Sequence, residues 1–134
     1  MFIAIDGNST GRKIEKLIFT NELTKLAKFS EMIQCRIEAM KKTIVHYSGN
    51  VIMVGGDNIL AEIPISSYSE LLNELEPLTL EDYSFSVSIS TTVQGAYLGL
   101  KYAKSANLKA IEVIIHEDGE MEFINRSKES VEKE

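Results

Sequence analysis

Asn50-Val51-Ile52-Met53-Val54, then Gly55-Gly56-Asp57-Asn58, then Ile59-Leu60-Ala61-Glu62-Ile63 reads as two short apolar strands joined by a glycine-rich turn. Such a stretch is a β-hairpin signal. Two glycines permit close backbone approach by another molecule, and the carboxylate of Asp57 follows at the tip. Gly-Gly-Asp also makes an ordinary tight turn, so the hairpin gains meaning only from what the rest of the chain places beside it.

Working outward, Met1-Phe2-Ile3-Ala4-Ile5 is an apolar run ending at Asp6-Gly7 and predicts a buried strand. Asn8, Ser9 and Thr10 offer capping side chains before a helix starting near Gly11 or Arg12. Leu26, Phe29, Ile33, Ile37, Met40, Ile44 and Tyr47 recur at intervals of three and four, one apolar helical face. A break at Thr20-Asn21 splits this region into a short and a long helix, with either residue as the second cap.

Pro64 closes the hairpin's second strand, and Ser66 to Glu76 predicts a helix stopped by Pro77. Ser84-Phe85-Ser86-Val87-Ser88-Ile89-Ser90 alternates throughout, the pattern of a half-buried strand. Its serines then form a low row of hydroxyls, exposed to water or open to a base or partner subunit. Gln94 to Ala106 reads as a helix with Ala96, Leu100 and Ala103 inward. Ala110–Ile115 and Met121–Ile124 flank Asp118-Gly119, a second hairpin. The expected organisation is a single domain over residues 1–125 and a charged, solvated tail over 126–134.

This order gives an α+β chain whose first six elements match the βαββαβ arrangement of ferredoxin-like folds, with an additional C-terminal helix and β-hairpin. In that arrangement the third strand lies between the first and second, antiparallel to both. The end of the first strand and the tip of the central hairpin then share one sheet edge. Asp6 and Asp57 are brought together although 50 residues lie between them.

Two carboxylates beside glycine-rich turns suit Mg²⁺, which takes one or two protein carboxylates and fills its other positions with water and phosphate oxygens. The turn Asp6-Gly7-Asn8-Ser9-Thr10-Gly11 leads into a helix N-terminus, whose N–H groups suit a triphosphate. With 134 residues, 25% charged and 44% hydrophobic, the composition is that of an ordinary globular domain. A net charge of −6 argues against stable nucleic-acid binding. No signal peptide or membrane-inserting segment is evident, and the lone Cys35 excludes an internal disulfide, which together point to the cytoplasm. Cys35 and Met32, Met40, Met53 and Met121 read as core side chains. His46 and His116 show no metal-pair spacing.

Asp6 at the end of the first strand, the Gly-Gly-Asp hairpin, and Ser-Val-Ser-Ile-Ser leading to a helix with Tyr102-Ala103-Lys104 resemble the GGDEF and CRISPR-polymerase palm superfamily. The opening Phe-Ile-Ala-Ile-Asp-Gly and the later Gly-Arg-Lys-Ile-Glu, on a chain that is all palm, are most similar to the minimal CRISPR polymerases. The resemblance covers residues 1–116. It implies a nucleotidyltransferase that joins ATP or GTP into a cyclic di- or oligonucleotide, releases pyrophosphate, and signals in anti-phage defence through a separately encoded effector.

By the same resemblance Asp6, Asp57 and the Gly7 carbonyl correspond to ligands of Mg²⁺ or Mn²⁺, two ions in all. Gly55 and Gly56 correspond to the glycines the nucleotide approaches, and Lys104 to a phosphate-contacting lysine. Making a cyclic dinucleotide on single palms implies a homodimer. The chain also departs from the pattern. Asn58 stands where relatives carry an acid, as does Asn8, and Leu108 with Lys109 replaces an arginine of GGDEF enzymes. Two alternatives follow: a catalytically degenerate nucleotide-binding sensor, or a GTP ring-opening hydrolase on the same palm.

Overall fold

The computed structural model describes residues 1–79 and 83–126. Strand β1 (Phe2–Gly7) is followed by helices α1 (Thr10–Phe19) and α2 (Leu23–His46), then the hairpin β2 (Asn50–Val54) and β3 (Asn58–Glu62). A 3₁₀ turn at Ile65–Ser67 leads into α3 (Tyr68–Thr79). Then come β4 (Phe85–Ser90), α4 (Val93–Ser105), β5 (Ala110–Ile115) and β6 (Met121–Asn125). The fold is α+β: a mixed six-stranded sheet of order β2-β3-β1-β4-β5-β6 with four α-helices among the described residues.

β1 is antiparallel to both β3 and β4, so the first four strands take the order expected from the chain pattern. β1 continues past Ile5 because Asp6 finds partners on both sides, Asn58 and Ser86, and Gly7 pairs with Phe85. The β4–β5 pair is parallel, and α4 makes the crossover.

The apolar stripe of α2 is buried as its period requires. Phe29, Ile33, Ile37, Met40 and Ile44 pack on Ile3, Ile5, Ile59, Phe85, Val87 and Ile89, joined by Leu71 and Leu75 of α3. Each such side chain removed from water contributes about 1.5–3 kcal/mol, which fixes the face of β1 that carries Ile3 and Ile5. The alternate residues Ala4 and Asp6 must then point to the opposite face, where α4 lies.

That opposite face is not the open serine surface expected from the sequence. Ser86, Ser88 and Ser90 are all buried, and β4 is buried on both sides rather than half-buried. The cause is on α4. A Cβ on Gly95 would lie 2.2 Å from the Ser90 hydroxyl, and one on Gly99 would lie 2.2 Å from that of Ser88. Small residues facing small residues let the helix settle directly on the strand. The Ser90 hydroxyl donates to the Val113 carbonyl at 2.8 Å, whereas the Ser88 hydroxyl has no partner among the described residues. A buried orphan hydroxyl costs about 1–3 kcal/mol. Ser88→Ala is therefore expected to leave the melting temperature unchanged or raise it in calorimetry; a clear fall would mean that the hydroxyl has a partner.

Other local expectations are corrected. Pro77 does not stop α3 but lies inside it, two residues before Thr79. Its fixed φ is helical, and so near the C-terminus only one hydrogen bond is lost. The break between α1 and α2 falls at Asn21 with φ 56°, but Glu22 holds the cap position of α2. The Thr20 hydroxyl is engaged with the Lys16 carbonyl at 2.9 Å and the Glu22 carboxylate at 2.7 Å. Cys35 and Met53 are exposed, not core. Arg126, expected in a solvated tail, donates to Glu112 at 2.6 Å; residues 127–134 lie outside the described residues. No helix among the described residues is long and apolar enough to cross a membrane.

Candidate functional site

Asp6 and Asp57 meet at one sheet edge. Asp6 pairs in register with Asn58, and the Gly7 N–H donates to the Asp57 carbonyl at 2.9 Å, which ties the end of β1 to the hairpin tip. The two carboxylates reach this edge from different faces. Asp6 lies on the α4 side and Asp57 on the side of α1 and α2.

Lys104, in the last turn of α4, places its ammonium 2.5 Å from the Asp6 carboxylate and 2.9 Å from the Gly7 carbonyl. The oxygens assigned by resemblance to a metal are thus the pair that binds a cation here. Thr10, the first residue of α1, donates its hydroxyl to the Asp57 carboxylate at 2.6 Å. Asn58 stays near the same carboxylate at 3.5 Å.

None of the side chains expected to cap α1 does so. Ser9 holds the cap position in a left-handed conformation, φ 60°, with no side-chain hydrogen bond to the helix. Thr10 is engaged with Asp57. Asn8 turns to β4: its amide donates to the Ser84 hydroxyl at 3.0 Å, and its carbonyl oxygen accepts from Ser86 at 2.9 Å. An acid at position 8 could accept but not donate, so asparagine at this position brackets the start of β4. The first N–H groups of α1 keep no intrahelical partner, and Ser9 and Gly11 are exposed beside them.

Gly7 is where glycine is required. A Cβ there would lie 2.1 Å from the Tyr83 hydroxyl and 2.7 Å from that of Thr10. Tyr83 is buried, held edge-to-face between Phe29 and Phe85 at centroid distances of 5.1 and 5.2 Å. Among the described residues its hydroxyl has no hydrogen-bond partner. Burial first, and then the negative charges of Asp57 and Asp6, push its pKa well above that of an ordinary tyrosine, against the opposing charge of Arg36. Tyr83 therefore stays protonated, with an O–H free to donate. Gly55 lies beneath the Asn58 side chain, while Gly56 faces open space.

Two cavities adjoin the carboxylates. One of about 300 Å³ is lined by Thr10, Ile14, Ser30, Ile33, Gln34, Gly56 and Asp57. The other, about 480 Å³, is an apolar groove on the sheet face left open beside α4, with Met53, Leu60, Val93 and Tyr97 in its walls and Asp6 and Asn58 at its end. The smaller cavity combines apolar walls with polar groups, the make-up of a small-molecule site. Sequence reasoning missed Ser30 and Gln34. Their signal was a polar i, i+4 pair bordering the apolar stripe of α2.

The family model of the minimal CRISPR polymerase domain matches residues 2–114. The chain belongs to that family. No curated protein matches it. Membership implies a polymerase or cyclase palm domain of nucleotidyltransferase type, and palm domains of this kind typically use divalent metal ions. Among the described residues no group of three or more His, Cys, Asp or Glu forms a metal cluster. The residues present nevertheless fit Mg²⁺: two carboxylates and a carbonyl at one edge, a lysine ammonium already seated on two of those groups, and a glycine cradle under an unpartnered hydroxyl.

Proposed function

We propose that this palm condenses ATP, or GTP, into a cyclic di- or oligonucleotide in anti-phage signalling. The observation that carries the reading is the convergence of Asp6, the Gly7 carbonyl and Asp57 at the α1 N-terminus, with a cation already held by the first two. Asp6, Gly7 and Asp57 would hold Mg²⁺ or Mn²⁺, two ions with substrate present. Those ions supply the charge that lowers the pKa of the attacking hydroxyl and neutralises the leaving pyrophosphate.

The chain's own groups do the remaining work. Residues 7–11 present the α1 N–H groups to the triphosphate, Gly56 leaves the hairpin tip open to it, and Lys104 neutralises phosphate charge. Ser30 and Gln34 hold the base edge in the 300 Å³ cavity. Thr10 keeps the Asp57 carboxylate oriented. The hydroxyl oxygen of one nucleotide bonds to the α-phosphorus of another, the bond to pyrophosphate breaks, and the proton leaves to solvent.

One palm offers one triphosphate, so closing a ring calls for a homodimer. The apolar groove beside Asp6, with Met53 and Tyr97 more than half exposed, supports a face on which a second chain completes the site. Specific activity is accordingly expected to rise with enzyme concentration through the range where sedimentation shows dimer formation; full activity in a strict monomer would sink this arrangement. Gln34→Ala is expected to weaken binding of a fluorescent ATP analogue several-fold, up to about tenfold, on the order of one charge-free hydrogen-bonding amide lost from an open-sided pocket. Unchanged affinity would remove the base from this cavity.

The second reading, a sensor that has lost catalysis, draws on Asn8 and Asn58. Asn8 favours it little, since its side chain is spent on Ser84 and Ser86 and faces β4. The two readings separate on metal occupancy with ATP bound, two ions for the enzyme against one or none for the sensor.

A further inference from the structure

We infer that Lys104 is an internal cation that keeps the metal position closed until a triphosphate arrives, so that metal and nucleotide bind together and not one by one. The inference deepens the nucleotidyltransferase reading and rests on it.

The ammonium of Lys104 is bonded to two oxygens of different kinds, a carboxylate of β1 at 2.5 Å and the carbonyl of the next residue at 2.9 Å. A hard divalent ion needs that same pairing of a charged and a neutral oxygen. It also needs their lone pairs, which the ammonium now occupies with its N–H donors. Asp6 keeps a second carboxylate oxygen and the Gly7 carbonyl a second lone pair, but a divalent ion taking them would lie a few ångströms from the ammonium, and the two charges repel. A metal alone therefore binds against that repulsion or displaces the bonded ammonium into solvent.

A triphosphate removes that obstacle. It binds at the N-terminus of α1, which starts three residues beyond Gly7, and offers Lys104 several anionic oxygens in exchange for one carboxylate and one carbonyl. The side chains of Lys104 and Asp6 keep about a third and a quarter of their surface, 34% and 26%, so the lysine has room to swing on its four-carbon stem. Its backbone need not move: Lys104 lies in the last turn of a helix whose Gly95, Ala96, Gly99 and Ala103 are buried against the sheet. Charge is conserved in the exchange. The ammonium passes from carboxylate to phosphate, and the divalent ion takes the vacated carboxylate. The same residue thus blocks the empty site and serves the filled one, which suppresses metal binding when no substrate is present.

The test is Mn²⁺ binding to the nucleotide-free full chain, read from the electron paramagnetic resonance signal of free Mn²⁺. Lys104→Met, and Lys104→Gln as a second variant, are expected to bind Mn²⁺ about tenfold or more tightly than the wild type, the scale of losing one adjacent positive charge. Adding Asp6→Asn to Lys104→Met is expected to abolish that gain. In the wild type, acylation of Lys104 mapped by peptide mass spectrometry should quicken severalfold when saturating Mn²⁺ expels the ammonium. Equal or weaker Mn²⁺ binding by both lysine variants overturns the lock, as does an absence of Mn²⁺ binding by all the proteins. If the lysine variants bind no more tightly while the wild type makes a cyclic nucleotide, the lock fails and the catalytic reading stands. Tightening in a protein that makes no product supports the lock on a site that does not catalyse.

Discussion

Asp57→Ala is expected to lower product formation by about 10³-fold or more, the loss of roughly 4 kcal/mol of transition-state stabilisation that a metal-holding carboxylate supplies. The same change should cost little stability. The Asp57 side chain takes part in one short hydrogen bond, from Thr10 at 2.6 Å, and a long one from Asn58 at 3.5 Å. The contact that builds the edge is the Asp57 backbone carbonyl accepting from the Gly7 N–H, and alanine keeps it. Melting is therefore expected within a few degrees of the wild type, since one partly exposed hydrogen bond is worth about 1 kcal/mol. Activity above a tenth of the wild type, or a large fall in melting temperature, would mean that Asp57 is a structural turn residue.

Gly7→Ala is expected to be the most damaging single methyl group in the site. The new Cβ meets the Tyr83 hydroxyl at 2.1 Å, the Thr10 hydroxyl at 2.7 Å and the Tyr83 ring at 2.9 Å. Tyr83 cannot yield freely, because Phe29 and Phe85 hold its ring on two sides. Overpacking of this kind costs about 1–3 kcal/mol, several degrees of melting temperature for a domain of this size. It also pushes Thr10 off Asp57. Tyr83→Phe removes the closest collision and an unpartnered buried hydroxyl, so on its own it should not destabilise. Combined with Gly7→Ala it should recover part of the loss, giving a favourable coupling in a double-mutant cycle. Strict additivity of the two changes would contradict the packing described here.

How far the sequence led depends on which physical signal each feature carried. The α2 stripe from Phe29 to Ile44 and the hairpin around Gly55-Gly56 are local periodicities, and both stand where their patterns put them. The neighbourhood of Asp6 and Asp57 was legible through topology, since a βαββαβ order leaves few ways to arrange four strands. The serine row of β4 misled because alternation reports a polar residue, not whether a helix covers it. The missing information lay in Gly95 and Gly99 of α4, whose meaning appears only when helix and strand are seen together. The capping residues misled for a similar reason: Asn8 and Thr10 found partners 76 and 47 positions away, and tertiary contacts outweighed a local cap. Tyr83 left no periodic trace at all, as it precedes β4 and its contacts with Phe29 and Gly7 are made far along the chain. Ser30 and Gln34 were visible only as interruptions beside an apolar stripe, a pattern most helices share.

The most direct measurement is incubation of the purified chain with an ATP and GTP mixture and Mg²⁺ or Mn²⁺, with products read by mass spectrometry and Asp57→Ala run alongside. The account predicts a cyclic di- or oligonucleotide with pyrophosphate release, absent from the Asp57→Ala reaction. Nucleotide bound but returned unchanged with either metal would contradict catalysis and leave a sensor. A ring-opened guanine product would contradict nucleotidyl transfer itself.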